Sequence, residues 1–172
     1  ASTAAFATML ASFLIGISLG SAVASRFARD SVRAGLGFAL AQLGTALMAW
    51  LTFSLADSIP SIAQSVSASS SNLLPGAVMS VLILLPVTVF VGASFPFAVR
   101  LMAVDADDAA SASARVYAWN TLGSIIGSIS AGFWLLPVFG FEGTLLIGAG
   151  ANLLLALGAA WFFTTGLPMR AL

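Results

Sequence analysis

Apolar residues run nearly unbroken for about 20 positions at a time, five times along the chain, and the links between the runs hold the charge. A helix rising about 1.5 Å per residue needs about 20 residues to cross the roughly 30 Å of a bilayer's hydrocarbon. The runs at 4–25, 34–56, 76–100, 116–139 and 144–165 each meet that length. The pattern predicts an all-α polytopic transmembrane helical bundle, five spans in a single domain over 1–172.

The links differ from one another. Arg26, Arg29 and Arg33 fall between the first two runs, Arg100 and Arg115 flank the link between the third and fourth, and Arg170 follows the fifth. Threading five spans alternately puts every arginine on one side, and the positive-inside rule makes that side cytoplasmic. The other side receives Asp57 with the Ser-rich link up to Pro75-Gly76, and the tight turn GFEGT containing Glu142. The inner link AVDADDAASASAR is compatible with a short surface helix. Ala1 then starts outside, with neither a methionine nor a basic leader pattern. We therefore expect a fragment or processed chain that lacks an upstream helix.

Composition sharpens this reading. The 172 residues are 60% hydrophobic and 7% charged, far below the roughly 25% charged residues of a soluble domain. Six arginines balance six acidic residues, so there is no basic surface of the kind that nucleic acid requires. Cysteine and histidine are absent, which removes thiolate chemistry, the usual zinc or haem ligands and the commonest general base. We expect no catalytic residue, no cofactor and no metal site. No Asp, Glu, Lys or Arg lies in the middle of a run, whereas ion-coupled transporters and pumps usually place ionisable groups there.

What the runs do carry is small residues at helical spacing. Ser12, Gly16, Gly20 and Ala24 recur every four positions, as do Gly123, Gly127 and Ala131, and then Gly148, Asn152, Ala156 and Ala160. Helices in lipid associate by close backbone approach through such stripes, so these are the expected packing faces of a compact bundle. The third run holds Pro86, Gly92 and Pro96; each proline leaves a carbonyl without its donor, which Thr88 and Ser94 are placed to satisfy. Asn120, one turn into the fourth run, and Gln42 are the polar intramembrane candidates, with Asn152 as a third embedded amide. An amide in hydrocarbon must find a partner, either as structural glue or as the lining of a solute path. Arg26, Arg29, Arg33, Arg100 and Arg115 set topology and meet anionic lipid.

Two resemblances follow from these residues. GISLGSAVASRFARDSVR loosely resembles the loop between the second and third helices of major facilitator transporters, whose charges lock helix ends together. More extensively, ASTAAFATMLASFLIGISLGSAVASRFAR, VGASFPFAVRLM and RVYAWNTLGSIIGSISAGFWLLPVFGFEGTLLIGAGANLLLALGA resemble the membrane region of bacterial membrane-bound spermidine-synthase-like proteins, a facilitator-like helical domain fused to a spermidine synthase domain. The third stretch carries the most specific order: Tyr117, Asn120-Thr121, Gly123, Gly127, Gly132-Phe133, Leu136-Pro137, Gly140, Gly143-Thr144 and Asn152-Leu153. The family's soluble domain, with its glycine-rich cofactor loop, has no counterpart here, so the resemblance carries no catalytic residue onto this chain. It implies a membrane anchor or partner-docking subunit of the bacterial inner membrane. Its partners would be lipids, other membrane subunits or a missing soluble domain. The rival expectation is part of a facilitator-like transporter for a small solute, lined by Asn120, Gln42 or Asn152.

Overall fold

The structure, a computed structural model, describes residues 3–55, 58, 61, 64, 74–105 and 107–165. Ala1, Arg170 and most of the expected outer loop from Asp57 to Pro75 lie outside them. Among the described residues five long α-helices follow one another: α1 (Thr3–Phe27), α2 (Ser31–Ser54), α3 (Leu74–Met102), α4 (Ala109–Ser130) and α5 (Leu136–Thr164), the last two joined through a π-helical turn at Ala131–Leu135. No strand occurs among the described residues.

The expectation of five separate spans is not matched among the described residues. Among the described residues four helical stretches are long and apolar enough to cross a membrane, because the fourth and fifth predicted runs are not separated by a loop but share one stretch of 56 residues, Ala109–Thr164. At about 1.5 Å per residue this stretch would extend about 84 Å if straight. It is not straight. Gly140 has φ 67° and ψ −176°, a backbone region that is essentially restricted to glycine. The Arg115 guanidinium at its start donates to the Met102 carbonyl, and the Phe163 ring near its end lies against Gly35 in the first turn and a half of α2. Both ends therefore lie at the same end of the molecule, and the chain turns back at Gly140. The GFEGT turn is thus a single non-helical residue inside helical backbone.

The helix boundaries have local causes. Asp30 caps α2, its Oδ1 accepting the Arg33 backbone N–H at 2.8 Å, which satisfies one of the donors that a helix start leaves open. Pro75 stands in the first turn of α3, where a missing N–H costs nothing. Half of the inner link is helical: α4 begins at Ala109, and Ala112 is fully buried.

Packing places the helices in a row. α1 lies along α3, α3 along α2, and α2 along α5, whereas α1 barely meets α2. Small residues make the α1–α3 approach close, since a Cβ on Gly20 would overlap the Val89 carbonyl and one on Gly92 would overlap the Ile17 backbone. Phenylalanines fill notches on α2: Phe97 sits on Gly37, Phe90 on Gly44 and Phe163 on Gly35. Van der Waals contact of this kind replaces the hydrophobic driving force that lipid cannot supply. α4 stands apart, meeting α3 near its base.

Candidate functional site at the arginine end and the bare flank

The first link, the end of α3 and the start of α4 converge. Arg29 Nε donates to the Arg26 carbonyl at 3.2 Å, and Arg100 Nε donates to the Arg29 carbonyl at 3.4 Å across 71 positions of sequence. Arg100 also donates through Nη1 to the Ala103 carbonyl at 3.5 Å. Arg33 pairs with Asp30 at 3.2 Å. Arg115 pairs with Asp108 at 2.8 Å and reaches the Met102 carbonyl at 2.9 Å, tying the base of α4 to the end of α3. Asp108 Oδ2 also accepts the Val104 N–H, and Asp105 Oδ1 accepts the Asp108 N–H. The Arg115 guanidinium, with the Val104 N–H behind it, holds the Asp108 carboxyl below the ordinary aspartate range.

Arg26, Arg29, Arg33, Arg100 and Arg115 thus gather at one end of the molecule. Between the ends of α1 and α3 and the start of α4 lies a groove of about 620 Å³. Ser25, Ala28 and Arg29 line it from the end of α1 and the first link, and Phe95, Pro96, Val99 and Arg100 from α3. Arg29, Arg100 and Asp105 stand at the helix ends and so at the rim, and Phe95, Pro96 and Val99 precede Arg100 in α3 and so lie deeper, as its floor.

The predicted packing stripes have different fates. Ser12 and Ala24 are buried, and Gly16 and Gly20 press on Thr88 and Val89 of α3. In α5, Ala156 is buried and shares a groove of about 280 Å³ with Ala160 and with Ala39 of α2, while Gly148 has nothing near it and Asn152 donates to the Gly148 carbonyl in its own helix. The stripe on α4 packs against nothing within the described residues: nothing lies within 4 Å of a Cβ on Gly123 or Gly127, and Ala131 is half-buried. The reason is the splay of α4, which leaves Tyr117, Trp119, Ile125, Ile126, Phe133 and Trp134 exposed as well. A compact bundle closed on all sides is therefore not what the chain forms by itself.

The three amides are not brought to a common cavity. Asn120 is exposed on α4, Gln42 is half-buried on α2, and Asn152 bonds within α5. A further groove of about 420 Å³ beside Arg33 is floored by Leu36, Leu40, Phe90 and Phe97, and one of about 230 Å³ near Pro86 by Met48, Leu51 and Leu82. None of the four grooves described is lined by an amide. Among the described residues no cluster of acidic side chains is placed to hold a metal ion.

Sequence reasoning missed Ser21. Its Oγ donates to the Gly92 carbonyl of α3 at 2.8 Å. That carbonyl is the one left without a donor by Pro96, four residues on. The expected donors act otherwise: Ser94 bonds to Val91, and Thr88 to Leu84 and Leu85. The signal was weak, since Ser21 stands about 100° round the helix from the Gly16-Gly20 stripe, on the neighbouring row with Ile17. Comparison with known protein families, with curated proteins and with solved structures finds no match for this chain.

Proposed function

We propose that this chain is the membrane-embedded helical domain of a spermidine-synthase-like protein, acting as an anchor or as a structural subunit that docks a partner, with no chemistry of its own. The observation that carries this reading is the bare flank of α4. A spanning helix with glycines four apart and nothing against them presents half of a helix–helix contact, and small-residue stripes are what membrane helices use to associate. The row of α1, α3, α2 and α5, with Leu14, Leu40, Val91 and Leu154 exposed on it, also fits a component of a larger assembly. The three stretches of resemblance supply the family. In that family aminopropyl transfer belongs to the soluble domain, which makes such a domain, on this polypeptide or on a partner, the natural cargo. The arginine end is then cytoplasmic, and the membrane is the bacterial inner membrane.

The test is the size of the complex released from native membranes by mild detergent. We expect the chain to migrate as a larger assembly, and Gly123→Leu/Gly127→Leu to migrate as the isolated chain with unchanged helicity. Migration of the unaltered chain by itself, or an assembly that survives the double substitution, would remove the docking role. The facilitator-like transporter reading gains nothing from the separated positions of Asn120, Gln42 and Asn152.

A further inference from the structure

We propose that the groove at the arginine end binds an anionic phospholipid, its phosphodiester held by Arg29 and Arg100 and one acyl chain lying over Phe95, Pro96 and Val99. The inference rests on the membrane reading above and adds a ligand to it. Arg33 and Arg115 are neutralised by Asp30 and Asp108. Arg29 and Arg100 are not: both spend Nε on a backbone carbonyl, Arg100 adds one contact to Ala103, and among the described residues neither has a carboxylate partner. Each keeps N–H donors in the planar fork that matches phosphate oxygens.

The geometry selects the class of anion. The two arginines stand at the rim of about 620 Å³ of groove, room for a headgroup phosphate and the first part of a chain. Below them, further into α3, the lining is Phe95, Pro96 and Val99, of which Phe95 is 40% exposed. A free anion would use the rim and leave the floor empty, whereas a phospholipid uses both. Asp105 stands on the rim too, its carboxylate turned to the Asp108 N–H at 2.9 Å. Its negative charge offsets part of the field, which favours a singly charged phosphodiester over a polyphosphate. Basic pockets between helix ends on the cytoplasmic side are where lipid headgroups with this chemistry lodge.

Two arginines near a membrane surface amount to about a thirty-fold preference for anionic over zwitterionic lipid. The test is native mass spectrometry of the full chain, purified in mild detergent and offered phosphatidylglycerol and phosphatidylcholine with the same chains. We expect retention of phosphatidylglycerol about thirty-fold above phosphatidylcholine. Arg29→Gln/Arg100→Gln should fall to near parity, and Arg33→Gln should keep the preference. Val99→Trp, which fills the floor without touching either arginine, should also lose the lipid, and decides the matter if the double variant loses helicity. Equal retention by the unaltered chain, or a preference that survives both changes, overturns the proposal. Displacement by excess inorganic phosphate alone would assign the rim to a free anion and overturn the lipid assignment. Flotation with vesicles of either lipid reads the membrane reading separately: a chain that floats with neither defeats that reading itself.

Discussion

Ser21 of α1 donates its hydroxyl to the Gly92 carbonyl of α3 at 2.8 Å, and Pro96 is the reason that carbonyl is free. In a regular helix the N–H of residue 96 would bond to the carbonyl of residue 92; proline has none. The unsatisfied group is thus converted into a contact between helices, beside the place where a Cβ on Gly20 or Gly92 would collide with the facing backbone. Kink and close approach are one feature.

A double-mutant cycle follows from this. Ser21→Ala alone leaves the Gly92 carbonyl unsatisfied and should destabilise the chain by about 1 kcal/mol, the scale of hydrogen bonds between membrane helices. In a Pro96→Ala background the restored N–H serves the same carbonyl, and Ser21→Ala should then cost much less. Unfolding in mixed micelles measures all four corners. Costs that simply add would show that Ser21 and Pro96 are unconnected.

The glycines divide into two sets with opposite expectations. Gly20→Ala and Gly92→Ala force α1 away from α3, because the overlap is with backbone rather than with a side chain that can rotate; overpacking of this kind costs about 1–3 kcal/mol. Gly127→Ala meets nothing, and alanine is the better helix former by up to about 1 kcal/mol. In the isolated chain it should be neutral or stabilising. A loss at Gly127 as large as that at Gly20 would mean that the α4 flank is already packed within the chain.

Acid should release the base of α4. The Asp108 carboxyl is held below its ordinary range first by Arg115 and then by the Val104 N–H, so its folded pKa is lower than its unfolded one. The contact contributes at neutral pH and is lost as pH falls through that lowered value. Carbon-13 NMR of the aspartate carboxyls should show Asp108 titrating below its own midpoint in Arg115→Gln. An unchanged midpoint in that variant would rule out the guanidinium as the cause.

Much of this could be read from the sequence, and what could not has physical reasons. The apolar runs gave the helices, since about 20 residues without charge have few other uses, and the bounds of α2 and α3 lie within a few residues of those of the runs at 34–56 and 76–100. The arginine clusters marked one end, where Arg29 and Arg100 do meet. The fusion of the last two runs was not legible, because GFEGT has the composition of a loop while only Gly140 leaves helical geometry. Nor was the fate of the stripes: glycines four apart define a face that can be approached, but not whether this chain holds the helix that approaches it. Gly16 and Gly20 meet α3, and Gly123 and Gly127 meet nothing. Phe90, Phe97 and Phe163 looked like ordinary apolar residues until their glycine notches on α2 were known.

The central claim is that the arginine-bearing links share one aqueous compartment, with the turn at Gly140 on the far side of the bilayer. The chain has no cysteine, so single cysteines at Arg29, Arg115 and Glu142 can be probed one at a time with a thiol reagent that does not cross membranes. The expected result in sealed inverted vesicles is labelling of Arg29→Cys and Arg115→Cys, with Glu142→Cys protected until the vesicles are opened. Opposite accessibility of positions 29 and 115 would contradict the account.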